Sequence, residues 1–282
     1  MTDLSWVEAV DFLATVYGWA ALAAALVIAA EAGYRFRWWR GVRRAAVAAE
    51  DPQGSAYVLS AALALLGLLI AFVFNLAANH YETRRQLVPL EASAISTATN
   101  HYRLLDPAVQ PRLMAAMADY AKARLSFSEL ELDEGKIEQS RQETAAIQKR
   151  IWSEVGDAVS LPEYRHLSVP ALSATTDMFD VATARHAALE TRIPGRALQV
   201  LILYALVAAA IMGHSLGGSR QRHLIATTGL FALIALAINL IADLDTPRIG
   251  SVRVSQAFME RVASELAEHP SVRLGLSGER GR

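Results

Sequence analysis

The run LSAALALLGLLIAFVF at residues 59–74 contains no charged side chain and a single polar one, Ser60. It lies within a longer segment, residues 52–81, that has no Asp, Glu, Lys or Arg. A helix needs about 20 predominantly apolar residues to cross the hydrocarbon core of a bilayer. The segment therefore predicts a membrane-spanning helix rather than a helix of a soluble core.

Three further segments lack charged residues, and they cover residues 12–30, 197–219 and 223–242. We therefore predict four transmembrane helices, at about 12–31, 55–80, 197–216 and 223–242. The predicted fold class is an all-α membrane protein with two transmembrane helical hairpins and a helical soluble insert between them.

The composition of the whole chain excludes several other classes of protein. It is 53% hydrophobic with a net charge of −1 and no cysteine. A chain this apolar is not intrinsically disordered, and the charge balance lacks the basic excess of nucleic-acid-binding proteins. Without cysteine there is no disulfide framework and no thiolate metal site.

Four regions follow from the position of the uncharged segments. Residues 1–81 are predicted to form the first hairpin and residues 197–242 the second. Between them, residues 82–196 are predicted to form a helical extramembrane insert. Residues 243–282 are predicted to be an extramembrane tail with a short helix and a disordered end.

The arginines predict the orientation in a bacterial inner (plasma) membrane, because short cytoplasmic loops are enriched in Lys and Arg. The N-terminal leader has no Lys or Arg, whereas the two hairpin loops carry Arg35, Arg37, Arg40, Arg43, Arg44, Arg220 and Arg222. Both loops are thus predicted to be cytoplasmic, with the insert and both termini outside.

Within the insert, the apolar spacing predicts several helices. The second transmembrane helix is expected to continue as far as Pro89. Asp106-Pro107 is a typical helix start, with Asp as N-cap and Pro at the first helical position. A strongly charged helix is predicted at 129–150 and another helix at 168–191.

Polar residues near the outer ends of the second and fourth transmembrane helices form the first candidate site. This polar interface cluster comprises Asn79, His80, Glu82, Arg84, Arg85, Glu91, Asn239, Asp243, Asp245 and Arg248. It could be an ion-coordinating ring at the mouth of a pore. Alternatively, it is a structural lock in which Arg84 or Arg85 pairs with Asp243 or Asp245.

The second transmembrane helix is the best candidate to line a pore, because it is the longest uncharged segment. The residues singled out as pore or gate candidates are Ser60, Gly67, Phe72, Phe74 and Asn75. A ring of Phe72 or Phe74 could gate by dewetting. The alternative is that these aromatic side chains pack against the other transmembrane helices.

We predict that the protein is not an enzyme and find no catalytic site, cofactor or metal site in the sequence. The chain has no phosphate-binding glycine loop, nucleophile elbow or HExxH motif. His80 and Glu82 are two residues apart, but no third metal ligand accompanies them.

Three ordered motifs resemble the bacterial bestrophin-like family. They are GLLIAFVFNLAANHYETRRQLVPLEASAISTATNHYRLL (67–105), YAKARL (120–125) and DLDTPRIGSVRVS (243–255). The matching positions include Arg84, Arg85, Glu91, Ala92, Asp243, Asp245, Pro247, Arg248 and Gly250.

The resemblance implies similarity to bestrophins, which are pentameric anion channels with four membrane helices per subunit and a helical cytosolic part. It therefore implies a soluble part in the cytosol, opposite to the orientation that the arginines predict. The expected partners are the lipid bilayer, further copies of the chain in a homo-oligomer (a pentamer by analogy), and inorganic ions, with no nucleic acid.

The predicted function is an ion channel or passive transport protein in which the second transmembrane helix lines the path. The alternative is a non-transporting membrane interaction or sensing protein that acts through its helical insert.

Overall fold

A computed structural model describes residues 4–43, 52–129, 134–216, 224–247 and 251–268. In chain order, the α-helices of these residues are α1 (Leu4–Leu13), α2 (Val16–Arg43), α3 (Pro52–Tyr102), α4 (Gln110–Glu129), α5 (Glu134–Ser160), α6 (Ser168–Glu190), α7 (Gly195–Leu216), α8 (Leu224–Asp245) and α9 (Ala257–Glu268). Over the described ranges every regular element is helical, so the all-α prediction is confirmed.

The chain divides into two compact units. Unit 1 consists of Met1–Tyr81 and Arg192–Val252, and unit 2 of Glu82–Thr191 and Arg253–Arg282. The apolar core of unit 1 lies among α2, α3, α7 and α8, where its fully buried side chains include Leu26, Leu66, Leu198, Phe231 and Ile238. The apolar core of unit 2 includes Ile95, Tyr102, Met117, Ile151 and Met178.

The helix expected at 12–31 is divided in two by a polar cap. Thr15 lies between α1 and α2, and its Oγ1 accepts a hydrogen bond from the Gly18 amide at 3.1 Å. Threonine at an N-cap satisfies one of the amides that a helix start leaves without a partner. A new helix therefore begins at Val16, and it continues past the expected end to Arg43.

Small residues bring α2 and α7 into close contact. A Cβ atom added at Gly33 would overlap the carbonyl oxygen of Ala210, and one added at Gly213 would overlap that of Ala30. Apolar side chains gain nothing by leaving lipid, so membrane helices associate through close packing of this kind.

Helix α3 does not end at Pro89, where the sequence analysis expected a break. Proline removes one backbone hydrogen bond and crowds the preceding turn. The helix nevertheless continues to Tyr102, because its next turns bury Ala92, Ile95 and Ala98 in the unit 2 core. Tertiary packing here outweighs the local cost of proline.

The start expected for the next helix is instead a turn. The Val109 amide donates to the Asp106 carbonyl at 2.9 Å, and the Ala108 amide donates to Asp106 Oδ1 at 2.8 Å. Helix α4 begins only at Gln110, whose side-chain amide donates to the carbonyls of Arg103 and Leu105. Gln110 thereby satisfies carbonyl groups that the end of α3 leaves without intrahelical partners.

The two other helices expected in the insert are present with altered bounds. The charged helix expected at 129–150 is α5, which extends to Ser160, and the helix expected at 168–191 is α6, which ends at Glu190. Helix α5 packs against α4 and α6, and its fully buried apolar residues include Ile151, Val155 and Ala158. The tail contributes the short helix α9, whereas the end expected to be disordered lies outside the described residues.

Four stretches of the described residues are long and apolar enough to cross a membrane. They are Val16–Arg37, Ala56–Tyr102, Arg165–Leu216 and Ile225–Asp245. Each contains or overlaps one of the segments expected to span the bilayer. The turn expected at Gly217-Gly218 lies outside the described residues.

The close approach of α2 and α7 predicts a large effect of one methyl group. Gly213→Ala should lower the thermal midpoint of the detergent-purified protein, because the overlap with the Ala30 backbone forces the helices apart at a cost of about 1–3 kcal/mol. Gly229→Ala on α8 is the matched control, since no atom lies within 4 Å of its added Cβ. Equal midpoints for the two variants would refute the close crossing.

Candidate functional site

The apolar part of α3 presents a continuous exposed stripe of mostly long side chains. Its members recur at alternating spacings of four and three residues, as on one face of a helix. We call them the Phe72 stripe: Ala61, Leu65, Leu68, Phe72, Asn75 and Asn79, all of which are exposed. Phe72 has 65% of its surface exposed, which is a large fraction for an aromatic side chain.

A second stripe runs beside the first and consists mainly of small residues. This small-residue stripe comprises Ser60, Ala64, Gly67, Ala71, Phe74 and Ala78, of which all but Ala78 are exposed. At 3.6 residues per turn it lies roughly 100° around the helix from the Phe72 stripe. No atom lies within 4 Å of a Cβ added at Gly67, so the surface there is open.

The two stripes separate the five pore candidates. Phe72 and Asn75 belong to the Phe72 stripe, whereas Ser60, Gly67 and Phe74 belong to the small-residue stripe. Residues two apart in a helix point in nearly opposite directions, so Phe72 and Phe74 do not share a face.

Asn75 and Asn79 add polar groups to the end of the Phe72 stripe. Asn79 Nδ2 donates to Asn75 Oδ1 at 2.9 Å. The stripe is therefore apolar at Leu65, Leu68 and Phe72, and polar after them.

The two aspartates that end α8 bind backbone groups of unit 1. Asp245 Oδ1 accepts from the Ile193 amide at 2.9 Å and lies 3.6 Å from His80 Nδ1. Asp243 accepts from the amide and the hydroxyl of Ser251, at 2.6 and 2.5 Å. Both carboxylates are buried. Each therefore fixes a chain segment, the start of α7 in one case and the exit from α8 in the other.

Asn239 has a comparable role one turn earlier. Its Nδ2 donates to the carbonyls of Leu13 and Thr15, at 2.5 and 3.1 Å. These carbonyls lie at the break between α1 and α2, where intrahelical partners are missing. Arg248, the last member of the predicted polar interface cluster, lies outside the described residues.

The remaining cluster members belong to unit 2. Arg84 is buried, whereas Arg85 is exposed and pairs with Glu82 at 3.2 Å. Glu91 is completely buried and forms ion pairs with Arg124 and Arg185.

Glu91 is the centre of a buried ionic cluster that was not predicted from the sequence. The buried ionic cluster comprises Glu91, Arg124, Arg185 and Gln256. Gln256 Oε1 accepts a hydrogen bond from Arg185 Nη2 at 2.6 Å. Arg124 also donates to the Ala182 carbonyl at 3.3 Å. One sequence signal was available, since Glu91 falls on the same helical face as Val88, Ile95 and Tyr102, where a lone carboxylate requires a partner.

The buried ionic cluster lies in an environment that disfavours charge. Tyr120 is fully buried close by, and its burial raises the pKa of its hydroxyl to about 12. In such an environment a buried charge is costly unless it is paired and hydrogen-bonded. Arg124 and Arg185 both pair with Glu91.

No group of three or more His, Asp or Glu side chains that could hold a metal ion occurs in the part of the chain that the structure describes.

A comparison with known protein families shows which family the chain resembles. A family model described as the bestrophin-like domain matches residues 22–259. The chain belongs to the bestrophin-like family. It is a membrane protein, as the four apolar stretches indicate.

Solved structures support the fold assignment of this bestrophin-like protein. A substituted form of a bacterial bestrophin homologue from Klebsiella pneumoniae aligns with a TM-score of 0.64 at 13% identity, over 88% of this chain and 97% of that chain. Another structure of a Klebsiella pneumoniae bestrophin homologue aligns with a TM-score of 0.63 at 12% identity, over 90% and 98%. At this identity the likeness shows the fold alone. A comparison with curated protein sequences found no match.

The buried ionic cluster predicts a large cost for neutralising Glu91. Glu91→Gln leaves two buried arginines without an anion, and breaking such a pair costs about 3–5 kcal/mol. The variant should show a markedly lower thermal midpoint or fail to fold. Glu82→Gln is the control, because its partly exposed pair with Arg85 should contribute at most about 1 kcal/mol. Equal midpoints for the two variants would contradict a structural role of Glu91.

Proposed function

We propose that this protein is the subunit of a homo-oligomeric channel for small inorganic ions, with α3 lining the path. The observation that carries the proposal is the poor packing of α3 within its own chain. Of the 18 consecutive residues that make the stretch Ala56–Tyr102 most apolar, only 6% are buried. The corresponding shares are 22%, 33% and 28% for the other three apolar stretches, in chain order. A helix so little covered finds its contacts in lipid, in water or in other copies of the chain.

The two stripes of α3 favour contact with water and with other copies of the chain. Small residues allow membrane helices to approach closely, so the small-residue stripe suits contact with a neighbouring copy. Amides are costly in hydrocarbon, so Asn75 and Asn79 on the Phe72 stripe suit a wet surface. Faces about 100° apart fit a helix in a ring, which contacts a neighbour on one side and the path on the next.

In this arrangement Phe72 forms the gate. A ring of exposed phenylalanines narrows the path and repels water, and such apolar constrictions close channels by dewetting. Phe74 lies on the other stripe and contributes to contact between copies. The neutral amides of Asn75 and Asn79 can face ions of either sign.

The family assignment supports the same proposal. Bestrophins are pentameric anion channels, and the pentamer is adopted here by analogy. The proposal includes no catalytic activity. It treats unit 1 as the membrane part and unit 2, which covers most of the predicted insert 82–196, as the soluble part.

We further propose that both hairpin loops face the cytoplasm of a bacterial cell and that the soluble part and both termini lie outside the inner membrane. The support is the arginine content of the loops, beginning with Arg35 and Arg37 on α2.

Flux through purified protein in liposomes tests the channel. Wild-type protein should conduct, and Phe72→Ala should raise the flux several-fold because it widens the apolar constriction. Phe74→Ala, the same change two residues away, should not raise it. An oligomeric mass in detergent, by light scattering, is the accompanying measurement.

Three results would overturn the channel proposal. The first is no flux for any variant under all conditions of voltage, pH and calcium. The second is an equal rise of flux in Phe74→Ala, since this residue lies on the other stripe. The third is a monomeric or dimeric mass, which leaves no space for a central path and would favour an interaction or sensing protein.

Cysteine accessibility in intact cells tests the orientation, and the chain has no native cysteine to interfere. In the proposed orientation, a membrane-impermeant thiol reagent labels Lys136→Cys, whose position on α5 is exposed, and spares Gly41→Cys. The reverse pattern would place the soluble part in the cytosol, as in bestrophins, and would overturn the proposed orientation without affecting the channel proposal.

A further inference from the structure

Unit 2 contains a cleft that belongs to neither stripe of α3. Its volume is about 230 Å³. The residues that line it come from α4, α5 and α6, and they are Arg124, Phe127, Arg141, Thr144, Ala145, Gln148, Ala182, Thr183 and His186. A pocket for a drug-sized ligand measures about 300–1,000 Å³, so this cleft suits a smaller molecule.

The wall of the cleft carries an excess of positive charge. Arg124 shares its carboxylate partner, Glu91, with Arg185, and the fourth member of the buried ionic cluster, Gln256, is neutral. Two arginines and one glutamate leave a formal charge of +1 on side chains that are at most 5% exposed. A buried excess charge is costly unless a counter-ion compensates it.

The other lining residues include a further arginine, Arg141, and a histidine, His186. Arg141 has 55% of its side chain exposed and lies 3.8 Å from Glu138, too far for a normal hydrogen bond. His186 lies 3.0 Å from Glu190, which is not among the lining residues. Among the described residues of the wall there is no carboxylate.

Thr144 provides the observation that points to a ligand. The residue as a whole is only 8% exposed. Its Oγ1 has no hydrogen-bond partner among the described residues. Burying a hydroxyl without a partner costs about 1–3 kcal/mol, and most buried polar groups have one. A ligand in the cleft that accepts a hydrogen bond would remove this cost.

We propose that the cleft binds a small soluble oxyanion, a carboxylate or a phosphate, with Thr144, Arg124 and Arg141 as its donors. Guanidinium groups match the geometry of both classes of anion, and charge-assisted hydrogen bonds are the strongest kind. Because α5 packs against both α4 and α6, a bound anion would link these helices and stabilise unit 2. None of the residues that line the cleft belongs to α3, so the proposal goes beyond the channel function.

Calorimetric titration of the full-length protein in detergent tests the site. The probes are sodium acetate, sodium succinate and sodium phosphate, each against sodium chloride at equal ionic strength. We expect saturable binding of at least one oxyanion, and the preferred probe distinguishes a carboxylate ligand from a phosphate ligand. Thr144→Val and Arg141→Gln should each weaken the affinity about tenfold or more, the effect of losing a hydrogen bond to a charged group.

Two comparisons separate binding from folding. Arg150→Gln is the matched control, because Arg150 lies on the opposite face of α5 in an exposed pair with Asp119. Its affinity should equal that of the wild type. Thr144→Val removes a hydroxyl without a partner, so its thermal midpoint in chloride should be equal or higher, while the rise on adding the anion is lost.

The proposal is overturned if none of the three oxyanions binds saturably, or if chloride gives the same signal. It is also overturned if either cleft variant keeps the wild-type affinity, or if Arg150→Gln weakens binding as much as they do.

Discussion

Hydrocarbon offers backbone N–H and C=O groups no water to bind, and this constraint governs the uncharged segments of unit 1. Only helices and closed barrels satisfy all these groups internally, so the uncharged segments are helical. Where a helix ends, another group must satisfy the backbone. Thr15 caps the start of α2, and Asn239 donates hydrogen bonds to the carbonyls of Leu13 and Thr15 at that break. Asp245 accepts a hydrogen bond from the Ile193 amide.

The same constraint changes how helices pack. Since lipid is as apolar as leucine, helix contacts in a membrane depend on close approach of small residues. Gly33 and Gly213 provide this approach between α2 and α7. Helix α3 has small residues too, but its own chain leaves them exposed. This difference distinguishes two helices that pack within the chain from one whose small residues the described part of the chain leaves exposed.

Unit 2 solves a different problem, because its core contains charge. One glutamate compensates two arginines, and the arginines connect α3 to α4 and α6 through Glu91. An ionic cluster with an excess cation is stable only if the remaining charge reaches water or an anion. Arg124 also lines the adjacent cleft, together with Arg141 and Thr144, and this is where we propose that such an anion binds.

The sequence determined the helical class, the four apolar stretches and the family, because hydrocarbon selects long uncharged segments irrespective of their neighbours. It also indicated the charged helix α5 and the helix α6. It did not reveal that α3 continues past Pro89 or that α4 begins only at Gln110, since burial of Ile95 and the capping by Gln110 are tertiary interactions.

For the candidate sites, the sequence supplied the residues but not their grouping. Phe72 and Phe74 are two residues apart in the sequence, and helical geometry places them on different faces. Glu91, Arg124 and Arg185 come from three helices, and no local pattern indicates that they meet. Only the tertiary structure decided these groupings, because the free energy of a buried charge depends on partners that are distant along the chain.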